Sequence, residues 1–421
     1  MAKTFVGFGF GPIQSGLFLF EAHASGNFSR YVVAEVDESL VEGVRRNRGR
    51  CAVNVARRDR IERSKLDRIE IYDPRVPADR ERIVAAVSES DEMATALPSV
   101  DFYDSGPASV ARLAAEGLSR RTGDVSTIIY AAENHNRAAE ILREKILAHA
   151  RPAALSAVAT LNTVIGKMSS VITDRAVISS MGLATITPEV QRAVLVEEFN
   201  RILISRIALA GFRRGIEVFI EKDDLLPFEE AKLYGHNAIH AVIAYLADLR
   251  GFETIAHAGR DAWIMSVARR AFIDESGAAL VARHGRLGDP LFTPEGYREY
   301  AEDLLERMVR PTLNDLVWRV GRDHVRKLGY DDRLYGTMHL ALEYGIEPKN
   351  LALGAAAAVL SLIKRQVSLG LSVPHLPRKA EDLTEGRLAK LLSGIWSGHA
   401  GPYAERLIAL TWSALEALGK R

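Results

Sequence analysis

The feature that most constrains this chain is the run Gly7-Phe8-Gly9-Phe10-Gly11-Pro12-Ile13-Gln14-Ser15-Gly16. A β-patterned stretch, Lys3 to Phe8, runs into it, and a helical pattern from Gln14 to about Ala24 leaves it. Glycines between a strand and a helix let the backbone turn sharply and approach a pyrophosphate, which meets the free N–H groups and positive dipole end of the helix. Gly9, Gly11, Pro12, Ile13 and Gln14 are therefore expected to bind a dinucleotide. Gln14 stands where a third glycine normally lets the helix pack close to the sheet, and Gly16 follows two residues later. The next apolar run, Tyr31 to Val36, carries Glu35 with Asp37 just after. A carboxylate at that strand end accepts hydrogen bonds from ribose hydroxyls and repels a 2′-phosphate, favouring NAD. The nearby Arg45, Arg46, Arg48 and Arg50 pull the other way, towards NADP. S-adenosylmethionine is the other ligand such a turn serves.

The chain has 421 residues, 48% hydrophobic and 26% charged, with a net charge of +1. That balance fits a globular protein of two or three domains and argues against a broad nucleic-acid-tracking surface. The one cysteine, Cys51, excludes a disulfide framework and a cysteine-rich zinc site, and fits a cytoplasmic setting. Thr4 to Phe20 is uncharged, but its glycines, Pro12 and Gln14 interrupt it where a signal helix is continuous. Leu351 to Ile363 is too short to span a bilayer, so no membrane association is expected.

Strand and helix patterns alternate through the first half. Strands are expected at Lys3 to Phe8, Tyr31 to Val36, Arg68 to Tyr72, Val100 to Tyr103 and Thr127 to Ala131, with a helix at Ala108 to Ser119 and further strands within Ala176 to Thr187. Alternation of this kind implies a mainly parallel sheet. After Pro188 helical periodicity takes over, at Pro188 to Gly211, Phe228 to Leu249, Pro294 to Met308, Leu334 to Glu343, Leu351 to Leu369 and Tyr403 to Leu418. The expected fold is an α/β Rossmann-like domain over 1–190, followed by a mainly α-helical substrate and catalytic domain over 191–421.

The helical half contains Lys232-Leu-Tyr-Gly-His236-Asn237-Ala-Ile-His240. At 100° per residue Asn237 lies about 140° and His240 about 80° round from Lys232, so the three share a face. The apolar stretch Ala241 to Leu246 indicates a buried helix. A desolvated lysine has a lowered pKa and serves as a base near neutral pH. An Asn amide and a His N–H can hold an alkoxide or carbonyl oxygen. Taken alone, such a set is more often a hydrogen-bonded polar patch than a catalytic site. His236 reads as packing, and His135, His149, His257 and His324 lack metal-like partners in sequence. Arg57 to Arg60 reads as a solvated face.

The stretch LLPFEEAKLYGHNAIHAVIAYLADLRG, Leu225 to Gly251, resembles the catalytic signature of the polyol-specific long-chain dehydrogenases, the mannitol dehydrogenase family. Lys232, Asn237 and His240 match its Lys-x4-Asn-x2-His pattern residue by residue. The resemblance extends to FGFGPIQSG (Phe8 to Gly16), Ser105-Gly106-Pro107, IIYAAEN (Ile128 to Asn134), RMVRP (Arg307 to Pro311), RVGRDHVRKLGYDDRL and LEYGIEPKNL. It implies metal-independent chemistry in which Lys232 is the general base or acid and Asn237 and His240 hold the substrate oxygen. It also implies cofactor contacts from Ser105, Gly106 and Asn134, and substrate contacts from Asn134 and Arg307.

Two departures concern the substrate. Arg310 replaces an Asn of the family pattern, and Ser169 stands where the family often has an Asp. Arg310 and Lys167 add positive charge that would suit a phosphate or carboxylate. The expectation is an NAD-dependent oxidoreductase for a polyol, its phosphate or a related sugar acid, working in an interdomain cleft as a monomer or homodimer. A hexuronate oxidoreductase of the same family, a non-catalytic dinucleotide sensor and a methyltransferase are the alternatives.

Overall fold

The computed structural model describes residues 3–122, 125–398 and 401–419. It divides into two compact units, Met1–Leu226 and Pro227–Arg421.

The first unit is built on twelve strands among the described residues: β1 (Lys3–Phe8), β2 (Phe28–Ala34), β3 (Cys51–Ala56), β4 (Ile61–Leu66), β5 (Ile69–Tyr72), β6 (Glu92–Thr95), β7 (Thr127–Ala131), β8 (Val158–Val164), β9 (Ser169–Ile172), β10 (Ala193–Glu197), β11 (Leu203–Ser205) and β12 (Ile220–Lys222). An eight-stranded sheet has the order β12-β11-β8-β7-β6-β1-β2-β5. Its strands from β5 to β8 are all parallel, and β11 returns antiparallel on β8. The six parallel strands have the doubly wound order in which the winding reverses between β1 and β6. That switch point is where such sheets hold ligands, beyond the strand C-termini.

Both faces of the sheet are covered, so the central strands read as continuous apolar runs rather than alternating ones. Phe5, Tyr31 and Val33 pack with Leu17, Phe18 and Val41 on one face. Val6, Phe8 and Val32 pack with Ile83, Val87, Leu113 and Leu142 on the other. A side chain of this size contributes about 1.5–3 kcal/mol when fully buried, so the sheet that frames the glycine turn is rigid.

Three local expectations are corrected. Val100–Asp104 is a short 3₁₀ turn, and the strand of that region is β6, whose Glu92 interrupts its apolar pattern. Arg175–Ser180 is a helix, capped by the Asp174 carboxylate, instead of added strands. Pro188 to Gly211 is not a helix: it holds β10, buried at all five positions, and β11. The β10 run Ala-Val-Leu-Val-Glu is apolar throughout, so periodicity alone does not separate strand from buried helix. β10 pairs with β3 and β9 in a second, four-stranded sheet, β4-β3-β10-β9. These pairings tie residues 191–226 to the first unit, so the boundary falls at Leu226 and not at residue 190.

The second unit is helical. Its central helix runs from Leu226 to Leu249 and widens into a π turn at Ala231–Asn237. Ala238–Leu249 is buried at ten of its positions and lies against the helix Lys349–Arg365. Gly354 makes that approach possible, since a Cβ there would stand 2.5 Å from a Val242 methyl. The expected helix Pro294–Met308 is present with those bounds. Tyr335–Glu343, Lys349–Arg365 and Ala404–Gly419 fall within a few residues of expectation. Among the described residues, no helix is long and apolar enough to cross a membrane.

Candidate active site

In the first unit the glycine turn opens on a cavity of about 640 Å³. Gly9, Gly11, Pro12 and Ile13 line it from the turn, Glu35 from the end of β2, and Ser105 from the far wall. Gly9 has φ +85°, and a Cβ on it would lie 2.9 Å from the Ala96 carbonyl oxygen, so glycine is required there. Gly11 differs: a Cβ on it would meet no atom within 4 Å. Its smallness serves no contact within the described chain, but suits a ligand lying against the backbone. The Glu35 carboxylate accepts from the Phe10 N–H at 2.6 Å and from the Val36 and Asp37 N–H groups at 2.6 and 2.8 Å. It thereby pins the glycine turn to β2 and keeps lone pairs for a diol.

Gln14, Gly106 and Asn134 are not part of the cavity wall. Gln14 is fully buried, and its side chain lies over Gly7 of β1, where a Cβ would come within 2.0 Å of Nε2. Gly7 thus supplies the room that a third turn glycine would have given. Gly16 has another role, meeting Val196 of β10 at a distance that excludes a side chain. Gly106 has φ +87° in the exposed loop after Ser105, and Asn134 is exposed beyond β7.

Three arginines of the basic cluster are engaged away from the cavity wall. Arg45 donates to the Ile71 carbonyl at 2.9 Å and pairs with Asp79. Arg46 pairs with Glu42 and Glu189, and Arg50 Nε donates to the Asn47 carbonyl. The cation that lines the cavity beside Glu35 is Arg75, gripped by Asp73 at 2.7 Å. Lys167 is buried, and its ammonium donates to the Phe199 carbonyl at 2.8 Å, so it serves the fold.

Sequence reasoning missed Glu133. This buried carboxylate accepts from Thr95 Oγ1 and the Leu97 N–H, both at 2.8 Å, and from the Tyr103 hydroxyl. Burial raises its pKa. It ties together the ends of β6 and β7 and the turn before Ser105. Leu97, Phe102 and Ala132, beside its partners, all line the cavity. Its position at the close of an apolar strand was the available signal.

In the second unit the π turn carries Lys232 and Asn237, and His240 follows one turn on. The i→i+5 widening changes the 100° step assumed for an α-helix, so the facing angles drawn from the sequence do not hold across Ala231–Asn237. The grouping is drawn instead by contacts and charge. Lys232 is partly buried, and desolvation, reinforced by the Arg333 guanidinium and opposed by Glu229, brings its pKa down to about 8. His240 Nε2 stands 3.2 Å from Asp315, which also pairs with Arg319. Burial acts to raise the Asp315 pKa, but the His240 and Arg319 contacts outweigh it and hold it low. Asn237 is partly buried.

His236 is buried between these groups, its ring centroid 6.1 Å from that of His240. Burial, then His240, Arg307 and Lys232, hold it neutral, well below the usual histidine range. His236 is thus a buried neutral ring among cationic groups. Arg307 is buried on Pro294–Met308, with Asp303 at 3.1 Å. Arg310 lies beyond that helix and reaches Glu306 at 3.6 Å. Asp315 and Arg333 were not singled out from the sequence. The signal for Arg333 was its place within RVGRDHVRKLGYDDRL; Asp315 lies between that stretch and RMVRP, outside both.

A Rossmann-type unit with a glycine-turn cavity and a helical unit carrying a partly buried Lys-Asn-His set define a two-part dehydrogenase-like fold. Residues 224–366 match the family model of the mannitol dehydrogenase C-terminal domain. Mannitol-1-phosphate 5-dehydrogenase of Shouchella clausii (strain KSM-K16) is 31% identical over 274 residues, which is 64% of this chain and 66% of that protein, just under two thirds of its length. A crystal structure of D-sorbitol dehydrogenase in substrate-free form superposes with TM-score 0.77 at 15% identity, covering 99% of this chain and 93% of that one. Pseudomonas fluorescens mannitol 2-dehydrogenase, in a ternary complex with NAD and D-mannitol, gives 0.71 at 14% identity, covering 99% and 92%. Residues 224–366 are thus similar to the mannitol dehydrogenase C-terminal domain, and the chain spans just under two thirds of the length of that curated relative.

Proposed function

We propose that this protein is an NAD-dependent oxidoreductase that interconverts a polyol or polyol phosphate and its keto sugar, with Lys232 as general base. The observation that carries the reading is Lys232 itself. It is a lysine brought to a pKa of about 8, on the helix that matches the mannitol dehydrogenase C-terminal domain.

Gly9, Gly11, Pro12, Ile13, Glu35 and Ser105 would hold the dinucleotide, and the open space at Gly11 fits a pyrophosphate against the backbone. The bound cofactor supplies the hydride acceptor. In oxidation, neutral Lys232 takes the hydroxyl proton onto Nζ. The Asn237 amide donates to the same oxygen and orients it. His240 turns Nε2 to Asp315, which leaves Nδ1 for the substrate. Arg307 and Arg333 set a positive field around the site, favouring an anionic substrate. Glu35 at the cavity favours NAD, since Arg45, Arg46 and Arg50 are engaged elsewhere.

The sensor alternative rested on the Gln14 and Ser169 departures. Gly7 accommodates the Gln14 side chain and leaves Gly11 open, so the Gln14 departure gives no ground for lost cofactor binding. The test is a titration with NADH followed by fluorescence, then NAD reduction with mannitol 1-phosphate, mannitol and hexonates. Binding with turnover fastest on mannitol 1-phosphate is expected. Turnover confined to hexonates would replace the substrate assignment, and absence of NADH and NADPH binding would overturn the reading.

A further inference from the structure

A π turn is a helix with one residue too many in a turn, and it survives where tertiary contacts hold it. The turn Ala231–Asn237 has such contacts at its centre. The Tyr234 carbonyl accepts from the Ser276 hydroxyl at 2.8 Å, and the Thr337 hydroxyl lies 3.2 Å from the same oxygen. Thr337 sits closer to the Arg333 carbonyl, 2.5 Å away. One hydroxyl proton cannot serve both acceptors fully, so Ser276 is the main donor to Tyr234. Ser276 is completely buried and belongs to a second π turn, Ala271–Gly277. With its own proton given to Tyr234, its oxygen accepts from the Tyr297 hydroxyl, 3.4 Å away.

Both turns close on the ring of Tyr297. A Cβ at Gly235 would lie 2.5 Å from the Tyr297 hydroxyl, and one at Gly277 would lie 2.5 Å from its ring. Neither position has room for a side chain, so the two widened turns and the tyrosine form one interlocked unit. The pair Lys232 and Asn237 lies on either side of the tethered Tyr234 carbonyl.

We propose that Ser276 is a positioning residue for the reaction: its hydrogen bond to the Tyr234 carbonyl holds the π turn that sets Lys232 and Asn237 relative to His240. If the tether is cut, the turn loses its reason to stay wide. Relaxation towards α geometry rotates Lys232 and Asn237 against His240. Misplacement of this kind, by about 1 Å, costs on the order of a hundredfold in rate. The inference rests on the assignment of Lys232 as base.

The experiment compares wild type, Ser276→Ala, Tyr297→Phe and Lys232→Ala for kcat, NADH affinity and the pH dependence of kcat. Ser276→Ala should lower kcat roughly ten- to a hundredfold, leave the NADH Kd within about twofold, and shift the alkaline midpoint of kcat. Tyr297→Phe keeps the Ser276 bond and loses only its support, so it should move kcat the same way by a few-fold. If Lys232→Ala is inactive while Ser276→Ala retains wild-type kcat and midpoint, the positioning role is wrong and the base assignment stands. If Ser276→Ala fails to fold, Ser276→Cys, which keeps the shape and has only a weak donor, takes its place, and wild-type kcat and midpoint in that variant overturn the proposal. If Lys232→Ala turns over normally, the base assignment itself has failed.

Discussion

His240 Nε2 lies 3.2 Å from a carboxylate oxygen of Asp315, a residue only 3% exposed. The contact turns Nε2 towards the carboxylate, which Arg319 pairs with through its other oxygen. Asp315→Asn keeps the shape and removes the charge. We expect kcat to fall on the order of ten- to a hundredfold, with NADH affinity unchanged, measured by steady-state kinetics and fluorescence titration. The Asp315 pKa is lowered in the fold from the ordinary 3.8. Its stabilising contribution is therefore full above that value and is lost as pH falls through the lower native one. Urea midpoints of wild type and Asp315→Asn should differ at neutral pH and converge in acid. A constant gap down to the lowest pH would contradict this electrostatic account.

Lys232 with a pKa of about 8 fixes the direction of the pH profile. A base works in its neutral form, so polyol oxidation should rise about tenfold per unit below the midpoint and level off above it. Ketose reduction needs the protonated form and should fall over the same range. A midpoint near 10.5, the ordinary lysine value, would show that Lys232 is not desolvated in the working enzyme.

The two turn glycines separate ligand binding from folding. Gly9→Ala forces a side chain into φ +85° and against the Ala96 carbonyl, so thermal stability should drop. Gly11→Val meets nothing within 4 Å on its Cβ, so Tm should hold while NADH affinity falls at least tenfold. Calorimetry and fluorescence titration on the same samples read both. Equal NADH affinity in Gly11→Val and wild type would mean that the dinucleotide does not lie on this turn.

Gln14 is buried with no partner for Oε1 or Nε2 among the described residues. An unsatisfied buried polar group costs about 1–3 kcal/mol. Methionine is close in length and shape without the amide. Gln14→Met should raise Tm by roughly 2–4 °C for each kcal/mol gained, with NADH affinity within about twofold. A fall in Tm would place an unseen partner on the amide.

Much of this molecule was legible in its sequence, for reasons that differ by element. β1 and β7 were readable because central parallel strands are continuous apolar runs ended by a glycine turn or a charge. Pro294–Met308 was readable from Thr293 before it, Pro294 at its first position and the helical spacing of its apolar residues. β10 was lost because Ala-Val-Leu-Val-Glu satisfies strand and buried helix equally, and β6 because Glu92 hides its apolar character. Lys232, Asn237 and His240 were found through a fixed spacing. Asp315 and Glu133 act through tertiary contacts that no spacing records. The π turn was invisible for a related reason: the residues in contact with it, Ser276 and Tyr297, lie far along the chain.

The most direct test is kcat for NAD reduction with mannitol 1-phosphate at pH 9, in wild type and Lys232→Ala. The account predicts turnover by wild type, and a loss of at least a hundredfold in the variant, in line with general-base catalysis, with NADH affinity retained. Comparable kcat in the two proteins would contradict it.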